Sequence, residues 1–519
     1  MPKLTIDQRD IEVPGGATLL DAAQKLGIDI PTLCFLKGCS PSTSCLACVV
    51  KVRNTGKLVP SCATVAIDGM EIESETDEIH QVRKSALELL LSDHLGDCLA
   101  PCYFACPARM DIPLMLRQIV AGDFEDAIET VKNDIALPAV LGRICPAPCE
   151  KTCRRRGADA EVAICRLKRF VADKDIEGEE RHLPMRASDS GKHVAIVGAG
   201  PTGLAAAYYL LLRGHACAIF DENDQPGGRL HHETDQQTLP RDVLRADIEP
   251  ILALGVELHT NSRVDDKASL DDLRRDFDAV LLASGASAIE QAEGWGLPLT
   301  KRGIQVRKGT YETDLEGTFA AGCAVRSKAM VVRSVADGKE AATAIDQYLC
   351  GKPVTGPPKP FNTRIGRLEP DELSQFMAGA ESTLLDKPAA GPTAGYRPEE
   401  AIEQAARCLH CDCRALESCK LRKYAAIYEA DPRHYEAGRR TFHQDLRHPD
   451  VIFEPGKCID CGLCIEMARA GGESLGLAFI GRGFDVRVGV PFDGSTADAL
   501  RKTAAQCVAA CPTAALSLR

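Results

Sequence analysis

The stretch "HVAIVGAGPTGLAAAYYLLLRGHACAIFDE", residues 193–222, is the unit of sequence that decides the fold. It reads as an apolar strand, a glycine-rich turn, an apolar helix and a second strand ending at Asp221. The turn has the G-x-G-x-x-G spacing, with Gly198, Gly200 and Gly203. The first two glycines allow a tight turn and close approach to a pyrophosphate, and the third lets helix and strand pack closely. The unit predicts a dinucleotide site in which the helix N-terminus attracts phosphate and Asp221 accepts a ribose hydroxyl.

The composition indicates a multidomain globular protein. The chain has 519 residues, of which 45% are apolar and 26% charged, and this length exceeds what one hydrophobic core organises. It has no apolar run of about 18 residues and starts without the pattern of a signal peptide, so we expect no membrane span and a cytoplasmic location. A net charge of −12 without a long basic tract argues against nucleic acid as the main ligand.

Cysteine usage is the strongest functional signal. The chain has 24 cysteines, and in a reducing compartment such crowding favours metal binding or redox chemistry over disulfides. The cysteines fall into five groups, within residues 34–62, 98–106, 145–165, 408–419 and 458–511. Cys217, Cys323 and Cys350 stand alone, and we interpret them as small buried apolar residues.

Hydrophobic patterns divide the chain into segments of different character. The expected segments are short strands in 1–80, helices in 81–185, strand–turn–helix units in 186–355, a linker in 356–400 and cysteine-bearing regions in 401–440 and 441–519. A hairpin is expected around Asn54, Thr55 and Gly56. The expected fold class is multidomain, α+β together with α/β.

The first cysteine group suits a two-iron cluster. Cys34, Cys45, Cys48 and Cys62 are separated by ten, two and thirteen residues, a spacing that fits a loop around a [2Fe–2S] unit closed by a ligand from a later strand. It resembles the amino-terminal ferredoxin-like domain of the large iron–sulfur subunit of complex I and of iron-only hydrogenases, which implies a β-grasp domain. Zinc is the alternative metal, and Cys39 lies inside the loop as a spare.

The second and third groups share another resemblance. "CLAPCYFACPARMDIP" (98–113) and "LGRICPAPCEKTC" (141–153) resemble the amino-terminal domain of the glutamate synthase small subunit and of dihydropyrimidine dehydrogenase, which holds two [4Fe–4S] cubanes in a helical fold. The prolines that follow Cys106 and Cys145 stop a helix from continuing. By this resemblance, one cubane takes Cys98, Cys102 and Cys153, and the other takes Cys106, Cys145 and Cys149.

The fourth ligands depart from that family. Its cysteine three residues before Cys98 is replaced here by Leu95, next to His94. We expect His94 as the ligand, because the complex I subunit also uses a histidine; a solvated histidine or an open iron is the alternative. For the other cubane, Cys165 lies near the place where relatives use a ligand that is not cysteine.

Two further segments indicate that the dinucleotide is FAD. "QPGGRL" (225–230) and "GTFAAGCAVRSKAMVVRSVADGKEAA" (317–342) resemble flavin-contacting segments of the glutamate-synthase-like family. The implied FAD contacts are Gly198, Gly200, Pro201, Thr202, Gly203, Asp221, Gly228, Arg229, Leu230 and Gly322. Relatives usually carry an acidic residue where Cys323 stands, so the chain departs from the family at this position.

The second nucleotide domain of that family is missing. "FDAVLLASGA" (277–286) is followed within some thirty residues by the closing FAD segment, without another glycine fingerprint. So short a segment cannot form a second nucleotide-binding domain. We therefore expect that the chain does not take hydride from NAD(P)H in the usual way.

The carboxy-terminal cysteines form two more groups. Cys408, Cys411, Cys413 and Cys419 suit a cubane, with zinc or uncoordinated thiols as alternatives and His410 as an alternate ligand. Cys458, Cys461, Cys464 and Cys511 have ferredoxin-like spacing that resembles a cubane domain of the complex I large subunit, and Cys507 is the alternative to Cys511.

These sites imply FAD, one [2Fe–2S] cluster and three to four [4Fe–4S] clusters, and no catalytic residue stands out. The leading interpretation is an electron-transfer subunit between an NADH dehydrogenase-like FMN/iron–sulfur partner and a terminal reductase, hydrogenase or formate dehydrogenase, or ferredoxin, with bifurcation at the FAD left open. One alternative is a free-standing glutamate-synthase-like NAD(P)H or ferredoxin oxidoreductase. The other is a zinc-rich scaffold or redox sensor.

Overall fold

The computed structural model describes residues 1–326, 328–381, 387–391, 394–435 and 438–519. The chain forms two compact units. The first comprises Met1–Ala100, Pro360–Gly379 and His410–Arg519, and the second comprises Pro101–Lys359 and Ala380–Leu409. Ser327 of the predicted flavin segment, and residues 382–386 and 392–393 of the predicted linker, lie outside the described residues.

The first unit begins with a mixed five-stranded sheet. Its strands, in spatial order, are Arg9–Glu12, Lys3–Ile6, Glu71–Glu73, Val49–Val52 and Lys57–Pro60. Lys3–Ile6 pairs with Glu71–Glu73 in parallel and the other neighbours pair antiparallel. The predicted hairpin turns at Gly56, which has a φ of 70°. Helix Leu19–Lys25 covers the sheet and starts with a capping box between Thr18 and Asp21.

The rest of the first unit is built from short elements. Its helices are Asp77–Ser92, Pro370–Met377, Lys420–Ile427, Leu463–Ala470, Thr496–Ala499 and Ala504–Ala510. Its antiparallel strand pairs are Val451–Phe453 with Leu516–Leu518 and Ala478–Ile480 with Arg487–Gly489. Helix Pro370–Met377 lies within residues 356–400, which the sequence predicts as a linker. Buried Glu372 on this helix accepts hydrogen bonds from Arg439 (2.6 Å) and from the backbone N–H of Phe442 (2.9 Å), so partners far along the chain hold it.

The second unit begins with helices, as the sequence predicts. They are Pro101–Ala105, Ile112–Ala121, Phe124–Asp134, Pro138–Ile144, Pro148–Lys151 and Ile164–Glu177. A later helix, Pro398–Ala405, packs with Ile112–Ala121 and Ile164–Glu177. Asp111 caps the N-terminus of Ile112–Ala121 by accepting from the N–H of Leu114.

A parallel sheet completes the second unit. Its strands, in spatial order, are Thr318–Ala320, Ala279–Leu282, His193–Val197, Ala216–Phe220 and Glu257–His259. Its helices are Pro201–Leu212, Arg229–His232, Arg241–Ala253, Lys267–Asp276, Ala288–Trp295 and Val331–Leu349, and a small antiparallel pair joins Leu299–Thr300 to Gly303–Ile304. A Cβ on Gly338 would lie 2.3 Å from the carbonyl oxygen of Thr202, so helices Pro201–Leu212 and Val331–Leu349 are in close contact there. Within the described ranges, none of the helices has both the length and the apolar character that crossing a bilayer requires.

Candidate functional site

Three glycine-bearing segments of the second unit meet at the N-terminus of helix Pro201–Leu212. A Cβ on Gly228 would lie 3.1 Å from the Cα of Gly200. A Cβ on Gly322, whose φ is 68°, would lie 2.1 Å from Oγ1 of Thr202. The structure therefore brings the predicted turn and both predicted flavin segments together around one helix end, where backbone N–H groups favour phosphate.

The conformation of the glycine-rich turn is stabilised by close backbone packing and by hydrogen bonds to Asp221. A Cβ on Gly203 would lie 1.9 Å from the carbonyl oxygen of Gly198, so helix and strand are in contact at this point. The buried carboxylate of Asp221 accepts hydrogen bonds from the N–H of Ala199 (2.5 Å) and the N–H of Asn223 (2.8 Å). It thus fixes the turn and stands at the strand end where the sequence predicts a ribose contact.

The remaining predicted dinucleotide contacts lie around the same helix end. Thr202 and Leu230 are buried, and Pro201 is the first residue of the helix. The side chain of Arg229 is largely exposed and forms a salt bridge of 2.6 Å with Glu233. The guanidinium group of Arg229, a predicted dinucleotide contact, is therefore paired with a carboxylate on the same short helix segment.

The four cysteines of the first group come together as two pairs in the first unit. Sγ of Cys48 lies 3.3 Å from Sγ of Cys62, and a thiol–thiol hydrogen bond also links Cys34 and Cys45. All four are buried. Two pairs of thiols suit a cluster with two thiolates on each of two irons.

These pairings change the acidity of the thiols. The hydrogen bond from Cys45 lowers the pKa of Cys34 to about 5, and the one involving Cys62 lowers the pKa of Cys48 to about 6. The same hydrogen bonds, together with burial, raise the pKa of Cys45 and of Cys62. One thiol of each pair therefore ionises easily, which favours capture of a cationic metal.

A cavity in the second unit is lined by a second set of four cysteines. Its empty volume is about 330 Å³. The cysteines that line it are Cys106, Cys145, Cys149 and Cys165. A hydrogen bond from Cys165 lowers the pKa of Cys145 to about 6, and burial raises that of Cys149 to about 12. Cys165, predicted as the fourth ligand, thus faces the same space as the other three.

Lys168 also lines this cavity, and sequence reasoning missed it. It is almost fully buried, and burial alone would lower its pKa, but the thiols of Cys165, Cys145, Cys106 and Cys149 raise it. Its ammonium group therefore stays charged beside four sulfur atoms. The available signal was its position, one helical turn after Cys165 in "CRLK".

The first unit has a corresponding cavity near the carboxy-terminus. Its empty volume is about 340 Å³, and its cysteines are Cys458, Cys461, Cys464 and Cys511. The thiol of Cys507 instead donates to the carbonyl oxygen of Cys464, at 3.5 Å. The four residues with ferredoxin-like spacing thus face one space. Among the described residues, no three His, Cys, Asp or Glu side chains gather as a single metal ion would require.

The remaining predicted ligands divide between the two units. His94, Cys98, Cys411, Cys413 and Cys419 belong to the first unit. Cys102, Cys153 and Cys408 belong to the second unit, where all three pack against its hydrophobic core.

Within the first unit, Cys98 lies beside the carboxy-terminal cysteines. The N–H of Cys413 donates to the carbonyl oxygen of Cys98, at 3.0 Å. Burial raises the pKa of Cys419 to about 12, and the thiols of Cys413 and Cys98 add to this shift. Sγ of Cys98 also lies 3.3 Å from Oγ1 of Thr363, in a segment whose sequence carries no functional motif.

The three isolated cysteines differ in exposure. Cys217 is buried in strand Ala216–Phe220, as predicted, and Cys323 is half-buried. The prediction of a buried residue was wrong for Cys350. This residue is exposed because it caps the C-terminus of helix Val331–Leu349 at the protein surface.

Three family models match separate parts of the chain. Residues 2–77 match a 2Fe-2S iron-sulfur cluster binding domain, and residues 91–180 match dihydropyrimidine dehydrogenase domain II with its 4Fe-4S cluster. Residues 196–262 match an NAD(P)-binding Rossmann-like domain.

Curated relatives match about two fifths of the chain. The beta subunit of the NADP(+)-dependent formate dehydrogenase of Moorella thermoacetica is 41% identical over 210 residues, which are 36% of this chain and 30% of that protein. The beta subunit of the NADPH-Fe(3+) oxidoreductase of Geobacter sulfurreducens is 39% identical over 189 residues, 36% of this chain and 28% of that protein. The PreT subunit of the NAD-dependent dihydropyrimidine dehydrogenase of Escherichia coli is 39% identical over 203 residues, 38% of this chain and 48% of that protein. The chain thus spans less than half the length of each of these three relatives.

Among solved structures, an NAD+-reducing [NiFe]-hydrogenase aligns over 100% of this chain and 87% of its own. The alignment has 12% identity and a TM-score of 0.35, which is too low to establish a common fold.

Proposed function

We propose that the chain is an FAD/NAD(P) oxidoreductase of the glutamate synthase small subunit and dihydropyrimidine dehydrogenase type, extended by a [2Fe–2S] domain, and that it serves as the electron-transfer subunit of a multi-subunit oxidoreductase. Its β-grasp [2Fe–2S] domain, its helical [4Fe–4S] domain and a ferredoxin-like [4Fe–4S] region at the carboxy-terminus carry electrons to and from one FAD.

The observation that carries this proposal is the grouping of thiols. Two cavities are each lined by four cysteines, and four more buried cysteines form two pairs. Sets of four cysteine thiolates are the ligands of [2Fe–2S] and [4Fe–4S] clusters. A chain with this many such sites is suited to passing single electrons over a distance.

The flavin site is supported by the glycines around helix Pro201–Leu212. The close approach of Gly228 to Gly200 and of Gly322 to Thr202 leaves backbone rather than side chains at the helix N-terminus. These residues bind and orient the pyrophosphate, and Asp221 keeps the turn in shape. When bound there, FAD supplies the exchange between two-electron and one-electron chemistry.

The proposed partners are chosen to supply the nicotinamide chemistry, since the described part of the second unit has a single parallel sheet. Without a second nucleotide domain, nicotinamide chemistry belongs to a neighbouring FMN/iron–sulfur subunit that oxidises or reduces NADH. A terminal reductase, hydrogenase or formate dehydrogenase, or ferredoxin, completes the chain of transfer. The named relatives, subunits of formate dehydrogenase, Fe(3+) oxidoreductase and dihydropyrimidine dehydrogenase, support such a setting.

A free-standing NAD(P)H or ferredoxin oxidoreductase is the second candidate, because the model matched by residues 196–262 is described as NAD(P)-binding. Anaerobic stopped-flow mixing separates the two. We expect that NADH or NADPH alone leaves the flavin absorbance of the purified chain unchanged over seconds, and that dithionite bleaches it. Rapid bleaching by either nucleotide would favour the free-standing enzyme.

Lys168 is expected to raise the reduction potential of the cluster held by Cys106, Cys145, Cys149 and Cys165. A buried positive charge stabilises the more negative, reduced state, so the Lys168→Met variant lowers that potential. An interaction of about 1.4 kcal/mol corresponds to about 59 mV for one electron, so the expected shift is tens of millivolts. An EPR-monitored redox titration measures it.

The matched control for this prediction is Lys174→Met on the same helix, Ile164–Glu177. Lys174 is exposed and forms a surface salt bridge of 3.0 Å with Glu177. We therefore expect its removal to leave the reduction potential of every cluster unchanged. Equal shifts in the two variants, or none in Lys168→Met, would refute the electrostatic role of Lys168.

A further inference from the structure

The geometry points to a cluster site made by His94, Cys98, Cys413 and Cys419, in which the ligands come from two segments more than three hundred residues apart in the chain. This inference rests on the proposed function, because it concerns a [4Fe–4S] cluster. It differs from the groupings that the sequence predicts. Family resemblance places Cys98 in a cubane with Cys102 and Cys153, and the spacing groups Cys413 and Cys419 with Cys408 and Cys411.

Backbone contacts bring the two segments side by side within the first unit. The N–H of Cys413 donates to the carbonyl oxygen of Cys98, at 3.0 Å. The N–H of Leu95 donates to the carbonyl oxygen of Gly456, at 2.7 Å, which ties the other end of the segment. Thr363 donates to the carbonyl oxygen of Gly96 (2.7 Å) and lies 3.3 Å from Sγ of Cys98. The loop that carries His94 and Cys98 is thus fixed at three points.

The three thiols share one buried environment. Cys98, Cys413 and Cys419 are each no more than 7% exposed. The thiol of Cys98 is close enough to interact electrostatically with the thiols of Cys413 and Cys419, and the latter two also interact with each other. Sγ of Cys419 accepts a hydrogen bond from the N–H of Arg422, at 3.4 Å, at the start of helix Lys420–Ile427. Backbone N–H groups directed at sulfur are a usual feature of cluster ligation.

His94 supplies the fourth donor. Its Nδ1 atom is buried and has no hydrogen-bond partner in the described structure. A buried ring nitrogen without a partner is costly unless it binds something, and a neutral imidazole nitrogen is a good metal ligand.

Lys457 connects His94 to the thiols. It is buried, forms an ion pair with Glu454 at 2.5 Å and interacts electrostatically with both His94 and Cys413. A Cβ on Gly96 would lie 2.7 Å from Cε of Lys457, so its stem packs directly on the loop between His94 and Cys98. One buried ammonium group therefore acts electrostatically on both His94 and Cys413, and its positive charge would offset the negative charge of a thiolate-bound cluster.

The experiment compares iron loss and EPR spectra in the full-length chain, purified anaerobically. Cys98→Ala and Cys413→Ala each remove about four irons, and the double variant also loses about four, because both ligands serve one cluster. The control pair, Cys98→Ala with Cys149→Ala, loses about eight. If Cys98→Ala or Cys413→Ala retains its iron, we expect the two single variants to change the same EPR signal. Flavin content and the [2Fe–2S] signal report that each variant is folded.

A second readout addresses His94 directly. Chain labelled with ¹⁵N-histidine shows a nitrogen hyperfine coupling on one reduced cluster, and His94→Cys removes the coupling while keeping the iron. Three results would overturn this site. The first is a loss of about eight irons in the double variant Cys98→Ala with Cys413→Ala, and the second is that the two single variants change different EPR signals. The third is a nitrogen coupling that survives His94→Cys. In all these cases the iron content of the unmodified chain stays high. If that chain itself held no iron, the proposed function would fail instead.

Discussion

Replacing Cys48 by alanine is expected to abolish the [2Fe–2S] EPR signal of the reduced chain completely. Sγ of Cys48 lies 3.3 Å from Sγ of Cys62, and the hydrogen bond between them lowers the pKa of Cys48 to about 6, so Cys48 is the thiol of this pair that ionises first. Without it, one iron keeps a single protein ligand, and a two-iron cluster is not retained. Iron analysis should show a loss of about two atoms per chain, with the four-iron signals unchanged.

The matched control is Cys39→Ala in the same loop. Cys39 is half-buried, and the sequence marks it as a spare beside the four ligands. The control should keep the full signal and the full iron content. A two-iron signal that persists in Cys48→Ala but disappears in Cys39→Ala would contradict the ligand assignment.

The second large effect is expected at the glycine-rich turn. In Gly203→Ala, the new Cβ would lie 1.9 Å from the carbonyl oxygen of Gly198, so helix and strand must separate. Flavin content should fall to background and the melting temperature should drop. In Gly200→Ala, nothing lies within 4 Å of the Cβ and φ is −76°, so the fold is kept. Its Cβ nevertheless stands at the helix N-terminus, and flavin affinity should fall about tenfold or more.

Gly15→Ala serves as the control for both substitutions. Gly15 is exposed and needs no left-handed conformation, and a Cβ at this position would have no atom within 4 Å. Absorbance at the flavin band after desalting, together with thermal melting, distinguishes the three variants. If Gly200→Ala bound flavin as tightly as the unmodified chain, the dinucleotide site would not lie at the N-terminus of helix Pro201–Leu212.

Local sequence patterns were sufficient for the parts of the fold with strong short-range signals. The apolar strand, glycine turn and apolar helix of residues 193–222 form strand His193–Val197, helix Pro201–Leu212 and strand Ala216–Phe220. Likewise, the hairpin around Gly56 forms where the turn residues predict it. In these segments periodicity and turn chemistry favour the same structure as the tertiary contacts do.

Elements that depend on distant partners were not predictable. Helix Pro370–Met377 is short, and it is stabilised by Arg439 on Glu372 and by stacking of Phe376 on Phe442, with ring centroids 4.4 Å apart. The same limit applies to the ligands. Spacing could group Cys34 with Cys48, but it could not show that Cys98 lies beside Cys413, because a contact across that length of chain leaves no local pattern.

The central claim is that this chain conducts electrons through several clusters and one flavin. A reductive titration of the anaerobically purified chain, followed by coulometry, tests it most directly. Four clusters that take one electron each and a flavin that takes two give an expected uptake of about six electrons per chain, or about seven with a fourth cubane. An uptake of about two electrons, with the cysteine sites free of iron, would contradict the account.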